Sequence, residues 1–152
     1  MELAIALHVV AAVIWVGGLF FAFACMRPTL SILDPQLRMR MWAGTLSRFF
    51  RWVWGSIAVI VITGAWMVFG HFHGIRNVSV SVQLMIGIGI VMMLLSAHTY
   101  FAPYKRLKRL IARSQWSETA HQARQLRLLI AINLTLGVAV LVIASAGRYW
   151  TP

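Results

Sequence analysis

Of 152 residues, 61% are hydrophobic and 11% charged, with a mean hydropathy of +0.80. Average soluble proteins are about 45–50% apolar and about 25% charged, so an ordinary soluble enzyme and a disordered chain are both excluded. Cys25 is the single cysteine, which excludes an internal disulfide, and 14 Lys+Arg stand against 3 Asp+Glu.

Basic residues cut the chain into four uncharged runs, 3–26, 52–75, 77–104 and 128–147. About 20 apolar residues rising 1.5 Å each cross a hydrocarbon core of about 30 Å. Every run is long enough, and none alternates like a barrel strand. The sequence therefore predicts an all-α integral membrane four-helix bundle, a single transmembrane domain over 1–152, with spans near 3–26, 52–72, 81–103 and 127–147. The start at Met1-Glu2 lacks a basic n-region, so no cleaved signal peptide is expected.

Direction follows from the cations. Segment 27–51 carries five and segment 103–127 seven, whereas only Arg76 and Arg148 lie at the opposite ends of the runs. The positive-inside rule then places both termini outside. In a bacterium this is a multi-pass protein of the inner membrane with its termini in the periplasm. The net charge of +11 orients the chain and meets anionic lipid; no nucleic-acid partner is expected. Lys105 to Arg109 reads as a solvated helix extension. Trp52, Trp54, Trp66 and Trp150 fall at interfacial depths. Asp34-Pro35 reads as a helix start giving a short inner helix through Trp42, and Ser117 before Glu118 as a cap leading into the last span.

Ionisable and soft groups within the spans are the informative ones, because an imidazole facing lipid is costly. His8 shares a helix face with Trp15 and Ala22, so it is expected to face the bundle, held by a neighbouring hydroxyl or backbone group or serving as a ligand. Met67 and His71 are one turn apart, and Met85 opens the third span. Thioether and imidazole groups suit Cu(I), so His8, Met67, His71 and Met85 form the candidate metal site. His73, Met92 and His98 are secondary metal or haem ligands. Trp15 and Asn133 are polar supports, Asn133 and Thr135 alternatively knitting the last two helices together. His8 and His98 differ by roughly 15–20 Å in depth, so they are not expected to share one haem. Cys25 reads as packing rather than as a nucleophile. With three acidic residues, all near loops or ends, carboxylate catalysis is not expected.

Leu7-His8, Ile14-Trp15-Val16-Gly17-Gly18-Leu19-Phe20-Phe21 and Arg27-Pro28 resemble the first helix of the copper-resistance protein D (CopD) family. Phe49-Phe50-Arg51-Trp52-Val53-Trp54, Thr63-Gly64, Met92-Met93, His98 through Tyr104 and Ile132 through Gly137 extend the resemblance over nearly the whole chain. It implies a bacterial membrane protein handling copper, with His8 and His98 on family histidines and only the four-helix core of the longer members. A more distant resemblance is to HemJ-type protoporphyrinogen oxidase, which implies b-type haem. That family's Asn-Glu-x-Pro element and third-helix lysine are absent here, which weighs against the oxidase activity but not against haem binding. Three readings remain open: Cu(I) binding or translocation, acting as an oligomer or with a membrane-complex partner; a haem b protein of electron transfer or porphyrin oxidation; and a cofactor-free accessory subunit.

Overall fold

The computed structural model describes residues 1–147; Arg148 and Trp150 lie outside the described residues. Four long helices account for nearly all of them: α1 Glu2–Ile32, α2 Pro35–His71, α3 Val80–Ala112 and α4 Trp116–Ala146, each long and apolar enough to cross a bilayer. The expected inner-side helical segments are present, but they are continuous with the spans. The helix that starts at Pro35 runs unbroken past Trp42 into the second span, and Lys105–Ala112 prolongs the third.

The ends obey local chemistry. The Asp34 carboxylate accepts from the Gln36 N–H at 3.0 Å, and Pro35, which has no N–H to satisfy, takes the first helical position. Ser117 does not cap α4; Gln115 precedes the helix without a side-chain cap, and Ser117 falls inside the first turn. Among the described residues, three π-helical segments, Phe21–Met26, Trp66–His71 and Tyr100–Tyr104, interrupt the α-geometry near span ends. The last contains Pro103, whose missing donor and bulky ring do not fit a regular α-ladder.

Packing organises the bundle as two pairs, α1 against α2 and α3 against α4, joined chiefly by α1 against α4. On α1 the buried positions Ala11, Trp15, Leu19, Ala22 and Met26 recur every three or four residues, which is one helix face. The remaining faces are apolar yet bare; Leu3 is 72% and Leu94 65% exposed. In water such surface would drive association, whereas in lipid it is the expected exterior. At the basic end, Phe50 and Trp54 of α2 meet Tyr100, Phe101 and Tyr104 of α3 with ring centroids 4.9–6.0 Å apart, and the Tyr104 hydroxyl donates to the Ala43 carbonyl at 3.3 Å.

At mid-bundle, three helices meet at Gly137. A Cβ there would lie 2.8 Å from a Val16 methyl and 3.2 Å from the Met92 methyl, so only glycine admits this approach without displacement. One turn away, the Asn133 Nδ2 donates to Ser96 Oγ at 2.7 Å and approaches the Met92 carbonyl at 3.4 Å. This is the knitting of the last two helices that the sequence allowed for, carried by Asn133 alone, since the Thr135 hydroxyl donates to the Ala131 carbonyl within α4. Overpacking a close contact costs about 1–3 kcal/mol, so Gly137→Leu is expected to lower the mixed-micelle unfolding free energy by about that amount. Gly55→Ala, where an added Cβ meets nothing within 4 Å, is expected to change it by less than about 1 kcal/mol.

Candidate functional site

His8 sits six residues into α1, about 9 Å along the helix from Glu2. The ring is half-buried and leans on α2, where Gly64 makes room for it: a Cβ at 64 would lie 3.4 Å from the His8 Cε1. Beside it, the His8 Nδ1 is 2.9 Å from the Thr63 hydroxyl oxygen. That hydroxyl has one proton, and the Val59 carbonyl accepts it at 2.6 Å. Thr63 therefore receives the His8 Nδ1–H. Neutral His8 is thereby fixed as the Nδ1–H tautomer, and Nε2 keeps its lone pair. A second group that holds one ring nitrogen and leaves the other free is the usual support of a metal-binding histidine.

Met67 lies one turn beyond Thr63 on α2 and is half-buried, and His71 follows in the same helix, exposed, with its ring edge-on to Phe72 at 5.1 Å. The chain then turns through His73 at φ 57° and Gly74 at φ 131°, so His73 is a solvent-facing turn residue. Both positive values are left-handed, and the following Gly74 is the residue that adopts one without strain. Thr63 and Gly64 are thus the α2 residues that meet His8, and Met67 and His71 follow one and two turns farther along α2, about 6 and 12 Å beyond Thr63. Met85 is half-buried on α3, which packs principally on α4, so it belongs to the other helix pair. No cluster of three or more His, Cys, Asp or Glu with metal-binding geometry occurs among the described residues.

The remaining candidates separate by depth and burial. Met92 is 3% exposed, and its methyl fills the notch at Gly137. His98 is exposed a little past the middle of α3. It lies eighteen residues after Val80, against six for His8 after Glu2, which separates the two by about 18 Å along the bundle. The face containing His8, Trp15 and Ala22 does turn inward, with Trp15 3% and Ala22 4% exposed. Trp15 and Asn133 both line a core cavity of about 10 Å³ with Ser96 and Thr99. The Trp15 Nε1 and Asn133 Oδ1 have no hydrogen-bond partner among the described residues. Cys25 is exposed rather than part of the core.

Thr63 and Gly64, which the sequence marked only as part of the resemblance and not as site residues, are the α2 contacts of His8. Their signal was present as a hydroxyl and a missing side chain, side by side in an otherwise apolar run and one turn before Met67.

The sequence profile described as Copper resistance protein D matches residues 43–146, which is 104 of the 152. The match covers most of α2 and all of α3 and α4, and it begins beyond His8 and Trp15. No curated protein and no solved structure matches the chain.

The tautomer assignment has a direct check. In ¹⁵N spectra of histidine-labelled protein in bilayers, His8 is expected to show a protonated Nδ1 and an unprotonated Nε2. Thr63→Val preserves shape and removes the acceptor, so it is expected to mix the two tautomers at a stability cost of about 1 kcal/mol.

Proposed function

The chain belongs to the copper resistance protein D family, and from that premise we propose that it captures Cu(I) at the end of the bundle opposite its basic residues. The observation that carries this reading is the Thr63 hydroxyl on His8 Nδ1, which leaves Nε2 as a ready ligand. Met67 and His71 supply a thioether and a second imidazole from the neighbouring helix, the donor chemistry that suits Cu(I). Met85 is the fourth ligand in this reading. It comes from the second helix pair, so metal binding would draw α3 toward α1 and α2. With the basic end inward, the site faces the periplasmic side of a bacterial inner membrane.

Passage across the bilayer requires sites weak enough to release the ion. The core beside Trp15 and Asn133 holds a cavity of only about 10 Å³, and Met92 is committed to packing at Gly137. We therefore assign any translocation to an oligomer, with exposed His98 reachable along an interface between chains rather than inside one bundle.

The test is metal analysis and optical spectroscopy on one detergent-purified sample loaded with Cu(I) under reducing conditions. About one tightly held copper per chain is expected, lost in His8→Ala/His71→Ala while chromatographic behaviour and helix content are unchanged. Undiminished copper in that double variant would remove the site. A Soret band that shifts on dithionite reduction would replace this reading with a haem b protein, and a sample with neither copper nor haem would leave the accessory-subunit reading.

A further inference from the structure

We propose that the basic end of the bundle carries a built site for one phosphate-bearing amphiphile, an anionic phospholipid of the adjoining leaflet, in the cavity bounded by Arg27, Arg38 and Arg127. The inference is independent of copper. A cavity of about 610 Å³ opens where the end of α1 meets the starts of α2 and α4, within the usual range of small-ligand sites, about 300–1,000 Å³. Its lining includes those three arginines and no aspartate or glutamate. Arg38 and Arg127 are half-buried. Arg127 also lies in the combined field of Arg27, Arg38 and Arg124.

Three like charges around one partly desolvated space repel one another, and an anion between them reverses the sign of that interaction. Guanidinium groups fit phosphate oxygens in pairs, which an ammonium cannot do. Two of the three are already restrained. Arg27 lies over the Phe23 ring at 5.7 Å, and the Arg38 Nη1 donates to the Ser31 carbonyl at 3.4 Å. The rest of the wall is largely apolar: Phe23, Met39 and Trp42 line the same cavity. Phe23 belongs to the uncharged run of α1, so this wall leads from the arginines toward the hydrocarbon. A charged mouth joined to an apolar wall at headgroup depth matches a phospholipid better than a free anion. Basic pockets between transmembrane helices on the cytoplasmic side are known to take such headgroups. The other basic segment differs. Lys105 and Lys108 are exposed and already lie over the rings of Phe101 and Tyr104 at 4.6 and 5.9 Å.

The experiment is native mass spectrometry of the full chain released from vesicles containing equal parts of phosphatidylglycerol and phosphatidylcholine. The wild type is expected to retain one phosphatidylglycerol per chain in preference to phosphatidylcholine. Arg27→Gln/Arg38→Gln/Arg127→Gln is expected to lower that preference by roughly a hundredfold, whereas Lys105→Gln/Lys108→Gln/Arg109→Gln leaves it in place. Equal loss in both triple variants, or no loss in the first, would overturn the site in favour of diffuse attraction. Displacement of the lipid by excess inorganic phosphate would overturn the lipid assignment in favour of a small-anion site. If the arginine variant does not fold, photoactivatable phosphatidylglycerol on the wild type decides. Adducts within 23–42 and 120–127 support the cavity, and adducts confined to other segments overturn it.

Discussion

Close approach at Gly137 is the constraint on which the bundle depends. In a bilayer, lipid tails compete with side chains for apolar contact, so helices associate through tight packing and a few polar bonds rather than through exclusion of water. Here α4 offers a bare backbone to Val16 of α1 and Met92 of α3, and one turn away Asn133 bonds Ser96. The Val16 contact joins the two helix pairs, while Met92 and the Asn133 bond hold α3 to α4. Where α1 stands relative to α2 is set by the direct packing of those two helices, in which His8 falls beside Thr63 and Gly64 rather than against lipid.

The four spans, their all-helical class and the inward face of α1 were legible because each depends on composition and a 3.6-residue period alone. The start at Asp34-Pro35 was legible for the same local reason. Lengths were less so. Charged residues mark where a helix leaves the hydrocarbon, not where its hydrogen bonding stops, so Arg38 through Arg51 disguised the fact that α2 is one rod from Pro35. Ser117 was misread as a cap because a cap depends on backbone angles before the helix, and the turn at Ser114, with φ 55°, sets the start earlier.

The candidate site was legible in part. His8 was visible as an imidazole in an apolar run, and Met67 and His71 as residues one turn apart on α2. Their relation to Met85 was not, since spacing says nothing about which helices pair, and the chain pairs α3 with α4. Thr63 was invisible as a partner because its role appears only when two helices 55 residues apart in sequence touch. Met92 shows the converse: a methionine that reads as a soft ligand is used for its flexible volume at a glycine notch.

The unbroken course of α2 has a consequence for the side of the membrane rich in arginine. Residues 35–51 extend the rod by about 25 Å past the uncharged run, and α3 and α4 continue past theirs as well. What would ordinarily be cleavable loops is a stiff shelf of hydrogen-bonded backbone. A protease with trypsin's preference meets many target side chains there and few peptide bonds free to enter its cleft. The exceptions are the short joints at 33–34 and 113–115, of which Arg113 supplies a cation directly beside an irregular backbone. The protein's most highly charged surface is thus also among its most rigid, and a nick there is directed to the single hinge between α3 and α4.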